Sequence, residues 1–271
     1  MPAPLPAPGP APGQGPWPAS PIPGPERGEA GHTPSGGIGG LQLPLALSPS
    51  AESDFSAYLA GPNAEVIAAL MAWASPAATD GFIYLHGPSG TGKSHLLQAA
   101  CQAARQEGLA AACLPLDHPG LEPAVFEALE DWDRIALDGL EAVIGQATWA
   151  EALFHLYNRL REAGRGLLVA ARSPAAELGI QLPDLASRLT WGATYRLRPL
   201  DEQDCAALLR HAARRRGLKL GEEAIAYLLK RCPREPGYLL GLLGRLDRAS
   251  LTHKKRPTLP LIRALIEESR G

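Results

Sequence analysis

The sequence predicts an α/β protein, a parallel sheet sandwiched by helices, followed by a small all-helical domain. Three observations predict it. Gly87-Pro88-Ser89-Gly90-Thr91-Gly92-Lys93-Ser94 fits G-x-x-x-x-G-K-[ST] at every fixed position and lies between a strand pattern and a helix pattern. Short apolar runs alternate with helical periodicity from residue 81 to 198. Beyond Pro199 apolar residues recur only at helical spacing.

The octet is the chemically richest stretch. Phe82-Ile83-Tyr84-Leu85 before it is rich in β-formers, and Leu96, Leu97, Ala100, Ala103 and Ala104 after it keep helical spacing. Glycines let successive N–H groups curl toward a phosphate, and the new helix adds its positive end. Lys93 is expected to reach the β/γ-phosphates, and Ser94 to hold Mg²⁺. An ordinary Gly-rich turn is the alternative, and the full octet in this context argues against it.

Strands are expected at 81–86, 111–116, 134–138, 166–171 and 193–198, with helices near 93–107, 122–130, 149–163 and 182–189. A helix over 63–73 precedes them, with Val66, Ile67, Leu70 and Trp73 on one face. Runs such as Ile135-Ala136-Leu137 and Leu167-Leu168-Val169 read as strands buried on both faces, the mark of a parallel sheet. After Pro199, Leu208/Leu209, then Ile225/Leu228/Leu229, then Leu239/Leu242/Leu243/Leu246, then Leu259/Ile262/Leu265/Ile266 give about four helices.

Residues 1–40 hold 12 of the 27 prolines and 10 of the 29 glycines, so they are expected to be a disordered tail. A hydrophobic content of 45% supports a real core in the remainder. The net charge of −2 points to no nucleic-acid partner, but its distribution is uneven. Residues 41–200 carry 10 Lys+Arg against 17 Asp+Glu, and residues 201–271 carry 15 against 9. Two units with different surfaces follow, and the basic one could face DNA, an acidic partner or its own acidic body. Cys101, Cys113, Cys205 and Cys232 are far apart without a C-x-x-C pair, so reduced buried thiols are expected. No apolar stretch reaches membrane length and no signal-like N-terminus is present, so cytoplasmic residence is expected.

A nucleoside triphosphatase with this loop needs an acidic residue at the end of a neighbouring strand to hold Mg²⁺. Asp138, closing Arg134-Ile-Ala-Leu-Asp138, is the candidate, and a turn aspartate is its alternative role. Hydrolytic proteins of this class commonly carry a second carboxylate beside the first. Here that place is Gly139, and the nearest acid is Glu141. Intrinsic hydrolysis is therefore expected to be weak or absent.

Several runs carry a family resemblance: residues 87–95, 137–141, 154–159, 182–189, the pair Trp191-Gly192 and residues 245–250. In this order and spacing they resemble the AAA+ module of the DnaA-like ATPase family, and in particular its short Hda branch, the regulatory inactivators of DnaA. The resemblance covers roughly residues 41–268. It implies a tail at 1–40, a clamp-binding peptide at 41–50, an AAA+ P-loop domain at 51–200 and a helical lid at 201–271. The chain ends at Gly271, just past the fourth lid helix, where DnaA continues into a DNA-binding domain; this favours the Hda branch.

The same resemblance implies roles for individual residues. Gln42-Leu43-Pro44-Leu45-Ala46-Leu47 resembles the branch's sliding-clamp peptide, with Gln42, Leu43, Pro44, Leu45 and Leu47 as contacts. Ala46 stands where a second proline is frequent. Arg188 matches the arginine finger, which reaches into a neighbouring subunit's nucleotide; a surface ion pair is its alternative role. Arg234 aligns with the lid arginine that senses nucleotide phosphates, although Pro236 departs from the pattern. The stretch Ala170-Ala171-Arg172-Ser173-Pro174 does not match the γ-phosphate sensor, and that function is not carried over.

The implied cofactors are ADP, the resident the resemblance implies, or else ATP, with Mg²⁺ held through Ser94 and Asp138. The implied partners are DnaA and the sliding clamp (the β subunit of DNA polymerase III), with DNA engaged only through the clamp, no membrane, and self-association left open. The implied function is restraint of replication initiation, by stimulating ATP hydrolysis on DnaA. Two alternatives stand beside it: an autonomous DNA-stimulated ATPase, such as a helicase loader or transposition helper, and a membrane- or partner-tethered AAA+ initiator paralogue that works without the clamp.

Overall fold

The computed structural model describes residues 54–78, 81–129, 131–253 and 258–268. The expected tail at 1–40 and the expected clamp peptide at 41–50 lie outside the described residues. Five strands form one sheet: β1 (Phe82–His86), β2 (Ala111–Pro115), β3 (Arg134–Asp138), β4 (Gly166–Ala171) and β5 (Ala193–Arg196). Their order is β2-β3-β4-β1-β5, and every pairing is parallel.

Parallel strands need crossovers, and helices supply them. They are α2 (Lys93–Gln106), α3 (Ala147–Glu162) and α4 (Pro183–Trp191), with α1 (Ala64–Ala74) ahead of the sheet. The pleat sorts side chains by parity. Ile83, Leu85, Ala136, Leu168 and Ala170 join Leu70, Trp73, Leu96 and Leu97 on the face covered by α1 and α2. Tyr84, Ile135, Leu137, Leu167 and Val169 join Trp149, Leu153, Leu156, Leu185 and Leu189 on the face covered by α3 and α4. All six residues of β4 are buried, as a strand covered on both sides must be.

Two expectations change. Residues 123–129 form a 3-10 segment rather than an α-helix. The stretch is too short to nucleate an α-helix alone. Tighter winding still seats Val125, Phe126 and Leu129 in the core, with Phe126 edge-on to Trp149 at 5.4 Å. Strand β5 ends at Arg196 rather than 198: the Leu197 amide still donates to His86 O at 2.7 Å, but the backbone of Arg198 is taken by the Asn63 side chain.

That domain is α5 (Glu202–Arg215), α6 (Glu222–Arg231), α7 (Pro236–His253) and α8 (Leu259–Glu268). Asp201 and Asp204 close a capping box at the start of α5. Cys205, Leu209, Ile225, Leu228, Leu239, Leu242, Leu246, Ile262 and Ile266 form its separate core.

Gly192 lets α4 turn into β5 against Phe82. A β-carbon there would lie 1.9 Å from Phe82 Cδ1 and 2.9 Å from Phe82 O. Gly192→Ala is expected to destabilise the domain by about 3 kcal/mol through overpacking. For a domain of this size that is roughly 6–12 °C in Tm, read by thermal denaturation; an unchanged Tm would contradict the packing described.

Candidate functional site: a phosphate loop under a helical lid

The loop between β1 and α2 sits at the C-terminal edge of the sheet. Gly90 (φ 77°) and Gly92 (φ 91°) adopt the left-handed backbone that the curl requires. Gly92 is the N-cap of α2, so no side chain caps that helix. Its first amides are left for an acceptor entering the loop. Lys93 Nζ folds back onto the loop, donating to the carbonyls of Gly87 (2.6 Å) and Pro88 (2.9 Å). Thr91 Oγ1 also donates to Pro88 O, at 2.9 Å.

Asp138 closes β3 beside this loop, with Ser94 next to its carboxylate. Burial pushes the Asp138 carboxyl above its ordinary range, Ser94 and Lys93 pull it down, and Asp117 and Glu141 push it up. The net shift is upward, so folding favours the protonated form. Ionisation at neutral pH therefore subtracts from stability, and the loss is recovered as pH falls through the folded-state value. Asp138→Asn removes that charge. It is expected to raise Tm by a few degrees without metal and to weaken metal-dependent nucleotide binding; a lower Tm would contradict this.

The paired oxygens of Ser94 and Asp138 are hard donors suited to Mg²⁺, and the loop amides with Lys93 are suited to phosphate. A nucleotide with Mg²⁺ fits this set.

Gly139 has φ 75°, and a β-carbon there would meet nothing within 4 Å. The place of a second carboxylate is thus open space. Glu141 is engaged elsewhere: its Oε1 lies 3.0 Å from Arg172 Nε, and its Oε2 accepts from Arg172 N at 3.2 Å. Arg172, which the sequence leaves without a role, ties down the nearest acid.

Arg188 lies in the last turn of α4, half-buried. It donates to Asn158 Oδ1 and packs over Phe154 (4.6 Å) and Tyr157 (5.5 Å). One turn on, Trp191 is 72% exposed, an unusual position for so large an apolar ring. Arg234 forms a 2.8 Å ion pair with Glu202 inside the lid, while its neighbour Glu235 lies against Gly90. The structure thus gathers Gly87, Pro88, Ser89, Gly90, Thr91, Gly92, Lys93, Ser94 and Asp138 in one place. Arg234 is paired within the lid and Arg188 is held on α3; Gln42, Leu43, Pro44, Leu45 and Leu47 lie outside the described residues.

Sequence reasoning missed a strap over the loop. Tyr58 Oη donates to Thr91 O (3.0 Å), and its ring lies 2.7 Å from where a β-carbon on Gly92 would be. Burial pushes the Tyr58 phenol up to about 12. Asn63, 1% exposed, donates to Arg198 O (3.0 Å) and Tyr58 Oη (3.3 Å) and accepts from Arg198 N (2.8 Å). Asp54 reaches Arg215 of α5 at 3.8 Å. The sequence places Asn63 only as the first residue of the helix over 63–73; in the structure it precedes α1 and its side chain does not cap that helix.

A five-stranded parallel sheet in this order, with a phosphate loop after β1 and a helical lid, is an AAA+ P-loop fold. Residues 201–266 match the family model described as "Hda, lid domain". The fold is similar to domain III of the Thermotoga maritima replication initiation protein DnaA, with TM-score 0.70 and 20% identity over 81% of this chain and 97% of that one. It is also similar to AMPPCP-bound DnaA from Aquifex aeolicus, with TM-score 0.63 and 19% identity over 73% of this chain and 65% of that one. The helical domain thus resembles the Hda lid, and the whole described fold is that of DnaA domain III.

Proposed function

We propose that the chain is a regulator of chromosome replication initiation that acts on DnaA. The observation that carries this reading is the Hda-type lid at 201–266 on a DnaA-like AAA+ fold. In this reading residues 1–40 are a tail, 41–50 a clamp-binding peptide, 51–200 the nucleotide-binding domain and 201–271 the lid. The protein works in the cytoplasm, where Gln42, Leu43, Pro44, Leu45 and Leu47 tether it to the sliding clamp on DNA. Tethering raises its local concentration at replicating DNA.

The chain's own loop holds ADP or ATP. Gly87, Pro88, Ser89, Gly90, Thr91, Gly92 and Lys93 take the phosphates, and Ser94 and Asp138 take Mg²⁺. A nucleotide held there would supply the phosphate charge that the loop amides and Lys93 answer. Its hydrolysis here is weak, because Gly139 cannot polarise water and Arg172 engages Glu141. Arg188 is the arginine finger and acts in trans on the nucleotide of DnaA. The exposed Trp191 on the same helix supports a partner-facing surface, since exposed tryptophans anchor interfaces.

The test is ATP hydrolysis by DnaA with DNA-loaded clamp, with and without this protein. Stimulation that disappears on deletion of residues 42–47 supports the reading. Stimulation unchanged by that deletion points to a clamp-independent paralogue. No stimulation, with DNA-dependent hydrolysis by the chain itself, makes it an autonomous ATPase; the intact loop and the basic residues of 201–271 favour that as the second reading.

A further inference from the structure

A groove lies where the described chain begins. It is bounded by residues 54–56, by α1 and by α2, and has a volume of about 360 Å³. Phe55, Met71, Ala74, Ala99 and Ala103 give it an apolar floor. Met71 is 52% exposed; with Trp191 it is one of two large apolar side chains left in the open among the described residues. Gln102 lines the same groove, and its Oε1 is buried without a hydrogen-bond partner among the described residues. Buried acceptors in folded proteins are nearly always paired, so this one marks a missing donor. An apolar floor beside an unsatisfied acceptor suits a segment that brings both apolar side chains and main-chain N–H groups.

We propose that this groove is the docking site of the chain's own residues 41–47, whose leucines seat against Met71 and Phe55. Leu41, Leu43, Leu45 and Leu47 recur at every second position. In an extended segment that spacing puts all four on one face, and Pro44 favours such a backbone. No residue from 41 to 50 is charged, so no ion loses its hydration on entering the groove. Position selects this occupant. The described chain begins at Asp54, which itself lines the groove. Residues 48–53 connect it to Leu47, a reach of about 23 Å when extended. Ser48-Pro49-Ser50 among them suits a turn back toward α1 and α2. A tethered segment meets the groove at a roughly millimolar effective concentration, so a small contact suffices. A partner in trans has no such advantage and needs a larger contact than this groove offers. The docking does not depend on what the segment binds elsewhere. Any partner that takes these leucines, the clamp of the reading above included, must first lift them out of the groove.

The test is nicking of the full chain by thermolysin, which cuts on the amino side of leucine, followed at Leu45 and Leu47 under native conditions. Met71→Asp puts a charge on the groove floor at an exposed position, where the fold has little to lose. The unsubstituted chain is expected to be cut about tenfold more slowly than this variant, because cleavage tracks the undocked population. A thermal melt accompanies both, and Met71→Ser keeps the test in force if the aspartate unfolds α1. Equal rates in the unsubstituted chain and a folded variant overturn the proposal. Slow cutting that is lost on dilution seats another copy's segment in the groove and overturns it as well. A chain that fails to bind the clamp leaves this result untouched, so the two readings fail separately.

Discussion

Arg188→Ala is expected to abolish stimulation of DnaA while leaving the chain folded and still able to bind the clamp. A finger supplied in trans contributes roughly 10³–10⁵ in rate in related phosphoryl transfer. The fold loses little. Arg188 is half-buried, and its partners are Asn158 and the rings of Phe154 and Tyr157. Such contacts at a partly exposed site are worth about 1 kcal/mol. Arg188→Lys separates charge from geometry: it keeps the cation and loses the planar fork that spans two phosphate oxygens. Stimulation should stay low in that variant as well. The checking measurement is DnaA-dependent ATP hydrolysis beside a thermal melt. Full stimulation by the alanine variant would remove Arg188 from the mechanism. Lost stimulation with a collapsed melt would assign Arg188 to the α3–α4 contact instead.

Lys93→Ala is expected to remove nucleotide binding without unfolding the protein. Burial holds the Lys93 ammonium below its ordinary range, against the upward pull of Glu141 and Asp138, while Arg172 pushes it further down. The fold therefore carries a cost to keep this cation charged, and deleting it should not weaken the ligand-free protein. A ligand that binds only the native state stabilises it by about 2.7 kcal/mol at a hundredfold excess over Kd. The unsubstituted chain should show a clear rise in Tm with ADP and Mg²⁺, and the variant none. An equal rise in both would mean that the nucleotide sits elsewhere.

The two variants probe surfaces of different legibility. The loop was fully legible because its chemistry is local. Glycines at 90 and 92 with positive φ, a lysine and a serine in eight consecutive residues have few other uses. The strands were legible because burial on both faces writes continuous apolar runs, as in β3 and β4. The segment at 123–129 was misread in helix type because Val125, Phe126 and Leu129 satisfy two windings in so short a run. Arg188 was legible as a residue, but its hold on Asn158 was not, since the two lie on different helices.

The sequence by itself determined the α/β class, the place of the phosphate loop, the open position at Gly139 and the switch to an all-helical domain after Pro199. Each is written in spacing or in the chemistry of neighbours along the chain. Tertiary structure alone decided which charges face the loop. Arg172 takes Glu141, Glu202 takes Arg234, and Glu235 rather than Arg234 meets Gly90. It also decided that Asn63 fastens the linker at Arg198, 135 residues away, and braces Tyr58 over Thr91. The physical reason is common to all of these. Periodicity fixes which face of an element is buried, but a polar side chain's partner is fixed by where distant elements converge. No local pattern of residues carries that information.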